Sequence, residues 1–404
     1  MKKSVCIFLS IMFLFCNVLW TFGAISTEYM SDDLTADSGG VILAAAEAEG
    51  DALQLAGKSA VLMEKDTGKV LYSVNPDEKC APASITKIMS LLLVMEAIDK
   101  GKLALDTKVT ASEHACSMGG SQIWLEPGET MTVDELLKAT VIASANDATV
   151  ALAEAVSGSE ETFVVNMNKK AKSLGMKNTN FVNCSGLDAD GHYSTAEDIA
   201  KMSVALLKHE LIKNYSTVWM DELRGGDSQL VNTNKLVRFY SGATGLKTGT
   251  TSAAGFCVSA SAQRQGMELC AVVLGAANND ERFGSARKLL DYGFANWGLR
   301  TVTVKKNDVP QLKVEKGCQG TVAVVPTGKG KYLIENGAEG KLETIIEMKE
   351  IVEAPIAKGQ KLGVAKITYN DKVIGEIDLI SVGAVERFTF WKALERVFSA
   401  LISQ

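Results

Sequence analysis

The chain has 404 residues, 47% of them hydrophobic and 22% charged, with only 6 prolines, a composition that predicts one large folded domain plus a smaller one. A formal net charge of -6 and only 3 histidines exclude a basic footprint for nucleic acid and leave little for histidine-based metal ligation. No nucleic-acid partner, metal or cofactor is expected.

At the N-terminus Lys2 and Lys3 precede the apolar run "VCIFLSIMFLFCNVLW", followed by Gly23 and Ala24. This is the layout of an export signal over residues 1–24. An uncleaved membrane anchor is the alternative reading, because the run is near the shortest spanning length; either way the remaining chain faces outward. Beyond the signal lie Cys80, Cys116, Cys184, Cys257, Cys270 and Cys318, scattered and without C-x-x-C spacing. They read as buried free thiols, with no disulfide and no zinc site.

Residues 25–56 show no sustained period and read as a spacer. The large folded domain is expected over 57–298. It opens with "SAVLMEKDTGKVLYSVN", two short strands around an Asp66-Thr67-Gly68 turn. Helical patterns follow in "TVDELLKATVIASANDATVALAEAVS", "ETFVVNMNKKAKSLG" and "STAEDIAKMSVALLKHEL", the last opened by a capping box from Ser194 to Glu197. The period then changes to two across "ATGLKTGTTSAAGFCVSASAQRQGMELCAVVLGA", predicting consecutive antiparallel strands, and "ERFGSARKLLDYGFANWG" returns to helix. A helical region inserted between an early hairpin and late strands of one sheet is an α+β layout. From about Leu299, short alternating strands with glycine-rich turns predict a separate all-β domain over 299–384.

The stretch "APASITK" places Ser84 and Lys87 at the start of a helix, one turn apart on one face, the arrangement that a serine nucleophile and an amine base require. A second S-x-x-K stands at Ser285 to Lys288, and alone either motif is better read as a helix cap and a solvated lysine. Company decides between them. "SAN" at Ser144 to Asn146 interrupts a helical pattern, and "KTG" at Lys247 to Gly249 lies in a strand-like stretch. Another S-x-N, Ser73 to Asn75, precedes the first S-x-x-K and falls in the hairpin. Only Ser84, Ser144 and Lys247 give the order S-x-x-K, S-x-N, K-T-G of penicillin-recognising serine enzymes.

"NTNKLV", "TGLKTGTTSAAGFC" and "NCSGLDADGHYSTAEDIA" extend the likeness. From about Lys58 onward the chain resembles the low-molecular-mass penicillin-binding proteins, the serine-type D-alanyl-D-alanine carboxypeptidases of the peptidase S11 family. The resemblance implies a penicillin-binding-protein/β-lactamase-like transpeptidase fold followed by a small all-β domain. One departure is Thr244, where an aspartate is more usual in the family. Under this reading Ser84 attacks the carbonyl between two terminal D-alanines of a peptidoglycan stem peptide, and β-lactam antibiotics act as covalent inhibitors. Lys87 is the base, its amine kept neutral by burial, the positive end of the helix and Lys247. Ser144 passes the proton to the leaving amine, and Asn146 holds the substrate amide. Lys247, Thr248 and Thr250 receive the terminal carboxylate, and Gly249 permits close approach of the strand. The backbone N–H groups of Ser84 and Thr250 form the oxyanion hole. Arg282 is a further candidate for the carboxylate, weighed against a surface role.

His192 invites a Ser-His-Asp reading, but no G-x-S-x-G occurs, so a structural histidine is expected; His114 and His209 read as surface residues. A class A β-lactamase would add a glutamate in an E-x-x-L-N string, which is missing between Asn146 and Lys247, and would carry no β domain. The remaining alternative is a catalytically silent cell-wall binding module, which the intact Ser84, Lys87 and Lys247 disfavour. Finally, "VERFTFWKALERVFSALISQ" spaces Phe388, Trp391, Leu394, Phe398, Leu401 and Ile402 by threes and fours. An amphipathic helix over 385–404 is therefore expected to lie on the outer face of the cytoplasmic membrane.

Overall fold

The computed structural model describes residues 52–337 and 341–394, with Phe398. The export signal, nearly all of the spacer and the last part of the C-terminal segment lie outside the described residues.

The N-terminal hairpin forms as expected, from β1 (Ser59–Glu64) and β2 (Val70–Val74). Three later strands complete its sheet: β3 (Ala243–Thr251), β4 (Gly255–Arg264) and β5 (Met267–Ala276). The sheet order is β2-β1-β5-β4-β3, and every pairing is antiparallel. Side chains alternate between two cores, as a period of two demands. Val61 and Met63 of β1 face one cluster with Cys270, Val272 and Leu274 of β5, whereas Ala60, Leu62, Leu269, Ala271 and Val273 face the other. A sheet covered on both faces needs apolar residues at consecutive positions, which is why β5 reads "LCAVVL" rather than alternating with polar residues.

The first face carries the helical insert. Its central helix, α1 (Lys87–Asp99), buries Ile88, Met89, Leu91, Leu92, Val94 and Met95, so it is apolar nearly all round. The pattern around "SAN" resolves into α2 (Val133–Lys138), a π-turn over Ala139–Ala143, and α3 (Asn146–Ser157). Between the last two, Ser144 takes a left-handed backbone, φ 63 and ψ 29. The insert also holds α4 (Glu160–Ser173) and α5 (Ala196–Leu207). The cap of α5 falls one residue later than the sequence suggests: Thr195, not Ser194, is the N-cap and accepts from the Asp198 N–H. Ser194 instead exchanges backbone hydrogen bonds with Cys80 and contacts the Thr179 hydroxyl. The true capping box is Thr132 with Glu135, at α2. On the second face α6 (Asn279–Asn296) packs Phe283, Ala286, Leu289 and Leu290 onto the sheet.

Helix α6 runs directly into the first β-domain strand, β6 (Trp297–Thr303), and Trp297 still belongs to the core under α6. Among the described residues the rest of the β domain consists of strands of two to ten residues in three small sheets around Tyr332, Ile367, Ile377 and Leu379. Residues 385–387 are not helical: Val385 bridges to Ile356 and Arg387 to Gly317. The expected terminal helix therefore begins at residue 390 rather than 385. Phe390 and Trp391 are 75% and 74% exposed there.

Cys184, Cys257 and Cys270 are buried, whereas Cys80, Cys116 and Cys318 are only half-buried.

Candidate active site

Ser84 lies in a short 3-10 turn (Ala83–Thr86) that runs without a break into α1. The turn holds Ser84 over the first helical residue, and the Lys87 Nζ sits 3.0 Å from the Ser84 Oγ. Lys87 is fully buried, and its Nζ also lies 2.5 Å from Asn146 Oδ1 and 2.6 Å from the Ser185 carbonyl oxygen. Asn146 is oriented by its other end, where Nδ2 donates to the Gly119 carbonyl at 2.6 Å, so the atom facing Lys87 is an acceptor. Burial lowers the Lys87 pKa to about 7, partly offset by Cys184 and Asp147. A neutral amine has two N–H donors and one lone pair. The two carbonyl-type oxygens take the donors, which leaves the lone pair for the Ser84 hydroxyl.

Strand β3 forms the opposite wall. A Cβ placed on Gly249 would lie 2.9 Å from the Ser84 backbone nitrogen and 2.9 Å from Ala83 Cβ. No larger residue allows this approach, so the glycine expected for close contact has a steric reason. Lys247 is 1% exposed, and burial, then Lys87, then Arg282, push its pKa well below that of an ordinary lysine. Thr248 donates to the Thr233 hydroxyl at 2.7 Å. Arg282 is not a surface residue: it is 6% exposed and runs behind β3, where Nη1 donates to the Gly249 carbonyl, the Thr250 hydroxyl and the Cys257 carbonyl. It braces the strand that carries Thr250. Arg282, whose pKa burial lowers only to about 10, keeps a positive charge behind β3, an electrostatic match for a carboxylate.

Sequence reasoning missed the contributions of Ser185, Gly186, Gly119 and Thr233. The first and third act through backbone carbonyls, which any residue supplies. Gly186 (φ +86) lies so close to the Ala83 carbonyl that a Cβ would come within 1.9 Å of its oxygen. Only its place in "NCSGLDADG" hinted at a role.

The remaining candidates separate cleanly. His192 accepts the Val182 N–H at Nδ1 and contacts the Thr86 hydroxyl through Nε2 at 2.8 Å. Burial lowers its pKa to about 4, so it is a neutral structural histidine. His114 is an exposed partner of Glu160, whereas His209, paired with Asp99, is partly buried. The second S-x-x-K holds the N-terminal segment on α6: the Ser285 hydroxyl accepts the Ala56 N–H, and Lys288 donates to the Leu53 and Gln54 carbonyls. Ser73 and Asn75 stay in the hairpin, with Asn75 Nδ2 donating to the Lys58 carbonyl. Thr244 donates to Glu268, a buried carboxylate also paired with Lys65 and Lys213. Among the described residues no cluster of potential ligands could hold a metal ion.

Comparison with known proteins identifies the family. Residues 44–278 match a family model described as D-alanyl-D-alanine carboxypeptidase, and residues 299–387 match the C-terminal domain of penicillin-binding protein 5. The D-alanyl-D-alanine carboxypeptidase DacF of Bacillus subtilis is 46% identical over 343 residues, 84% of this chain and 88% of the relative. The structure of penicillin binding protein 5 from Haemophilus influenzae superposes with a TM-score of 0.73 at 30% identity, covering 83% of this chain and 98% of that one. Penicillin-binding protein D2 from Listeria monocytogenes, in its ampicillin-bound form, gives 0.55 at 33% identity, covering 60% and 99% respectively. The chain belongs to the family of serine-type D-alanyl-D-alanine carboxypeptidases, built as an α+β penicillin-binding-protein fold with an all-β C-terminal domain.

Proposed function

We propose that the carboxypeptidase reaction of this family runs in this chain through an acyl-enzyme on Ser84. The observation that carries the assignment is the fully buried Lys87 amine, whose Nζ lies 3.0 Å from the Ser84 Oγ. Lys87 takes the Ser84 proton as Oγ attacks the carbonyl of the penultimate D-alanine. The oxyanion is received by the backbone N–H groups of Ser84 and Thr250, in an arrangement where one donor is worth about 3 kcal/mol. Ser144, fixed by its left-handed backbone beside Asn146, gives its proton to the departing D-alanine amine and recovers one from Lys87, which is thereby neutral again. Water then releases the shortened stem peptide, with Lys87 again acting as base.

Lys247, protonated as the carboxylate arrives beside it, and the Thr248 and Thr250 hydroxyls hold the terminal carboxylate. Arg282 acts behind them, through Thr250. Asn146 Oδ1 already serves Lys87, so its contact with substrate uses the amide N–H that Gly119 leaves free. β-Lactams acylate the same serine.

The domains we assign are an export signal over 1–24, a spacer over 25–56, a catalytic domain over 57–298 and a β domain over 299–384. The aromatic C-terminal segment attaches the enzyme to the outer face of the cytoplasmic membrane, supported by its exposed Phe390 and Trp391. Among the described residues no helix is long and apolar enough to cross a membrane. The test is D-alanine release from a peptide ending in D-Ala-D-Ala, measured beside penicillin turnover and mapping of the penicilloyl group. Fast penicillin hydrolysis without D-alanine release, or a label away from Ser84, would overturn the assignment.

A further inference from the structure

Trp124 stands out among the described aromatic residues. It is 77% exposed, between Ile123 and Leu125, which are each 5% exposed. Its φ is 52, a left-handed value that bulky residues rarely adopt and that persists only where surrounding contacts enforce it. Those contacts are present on both sides of the indole. The Ile123 and Leu125 N–H groups donate to the buried Asp147 carboxylate at 3.1 to 3.2 Å and 3.1 Å. The Ile123 carbonyl accepts from Arg224 at 2.9 Å, and Arg224 is paired with Glu129 at the far end of the same loop. The loop is therefore clamped from two directions, and the clamp turns the largest side chain in it toward solvent.

The same loop forms the rim of the catalytic cleft. The Asn146 N–H donates to the Ser121 carbonyl at 2.7 Å, and its side chain donates to Gly119. Asp147, which holds the loop, directly follows Asn146 in the chain.

We propose that Trp124 is a carbohydrate platform, its indole stacking on the apolar face of a sugar ring in the glycan strand that bears the stem peptide. The proposal rests on the carboxypeptidase reading and deepens it by naming a second part of the substrate. Three arguments select a sugar. A flat, rigid ring that loses little rotamer freedom matches the C–H face of one pyranose, with its polar tip left free for a hydroxyl. The exposed residues near it in the chain are mostly polar or small, among them Ser117, Gly119, Gly120, Ser121 and Glu126, suited to hydroxyl groups. The position also fits: Trp124 follows three residues after Ser121, at most about 11 Å along the chain from the carbonyl that accepts the Asn146 N–H.

The experiment compares two substrates: a free pentapeptide ending in D-Ala-D-Ala, and the same peptide carried on a tetrasaccharide glycan fragment. The wild-type enzyme is expected to favour the glycan-linked peptide in kcat/KM by about tenfold, the size of one aromatic contact. Trp124→Ala is expected to lose that preference, with release from the free peptide and acylation by benzylpenicillin unchanged. Trp124→Tyr is expected to keep most of it. If the preference survives in Trp124→Ala, or if both substrates fall alike, the platform is overturned. Wild-type release from the free peptide with no glycan preference overturns the platform alone, whereas no release from either substrate overturns the carboxypeptidase reading as well.

Discussion

Gly249 and Ser84 touch backbone to backbone: a methyl group on the glycine would sit 2.9 Å from the serine nitrogen, closer than real Cβ contacts come. That nitrogen is one of the two proposed oxyanion donors, so the contact links strand β3 to the nucleophile in a way no side chain can adjust. Gly249→Ala is expected to leave the fold intact and to lower the β-lactam acylation rate by about 100-fold, as a displacement near 1 Å does elsewhere. Stopped-flow acylation beside a thermal melt would check both halves. An unchanged rate would mean that the strand yields.

Two S-x-x-K strings compete for the label. Ser84→Ala is expected to abolish penicillin labelling and D-alanine release with no loss of folding. Ser285→Ala should leave both intact, since that hydroxyl accepts the Ala56 N–H and donates to the Ala56 carbonyl, away from the cleft. Peptide mapping of labelled protein decides, and a label at Ser285 would reverse the assignment.

Lys87 sets the pH dependence. Burial lowers its pKa from the model-peptide value of 10.5 to about 7, and the neutral form is the active base, so acylation should fall about tenfold per unit below pH 7 and level off above it. The sign for stability is the opposite of an ion pair's. Because the folded pKa is depressed, the unfolded chain binds the proton first, so this group weakens the fold as pH falls from 10.5 to 7 and adds nothing further below. Lys87→Met should remove that dependence along with all activity. A pH–rate profile with no acidic limb near 7 would exclude Lys87 as the base.

Lys247→Ala is expected to act on recognition rather than on the nucleophile. Its kcat/KM on a free-acid peptide should drop by about 100-fold or more, with a much smaller change on the C-terminally amidated analogue. Equal losses on the two substrates would remove the carboxylate role.

Deletion from Arg387 onward is expected to release the enzyme from membranes in fractionated cells while D-alanine release is retained. If the truncated protein stays with the membrane and its signal is shown to be cleaved, the C-terminal segment is not the anchor.

Much of this was legible in the chain. The three motifs named Ser84, Lys87, Ser144 and Lys247 because catalytic side chains must be particular residues at particular spacings. The strands were legible because a sheet buried on both faces forces apolar runs. The two roles weighed for Arg282, carboxylate partner or surface residue, stayed open because charge alone does not separate them; its 6% exposure removes the surface role. The cap of α5 was misplaced because serine and threonine stood side by side at Ser194 and Thr195, and both can cap. Ser185 and Gly119 were invisible because their work is done by carbonyl groups. The terminal helix was drawn too long because helical spacing in a sequence does not reveal that Val385 and Arg387 are held by bridges to the β domain.

Strand β3 is the last in its sheet, with β4 on one side and the 3-10 turn bearing Ser84 close on the other. A terminal strand offers a row of backbone donors and acceptors that an extended chain can extend by one more strand. A stem peptide laid against it would be read first as backbone, in the manner of strand addition, and only afterwards by its side chains. Affinity obtained that way tolerates variation along the peptide, so the strictness of the enzyme is concentrated at the terminal carboxylate and at the carbonyl that meets Ser84.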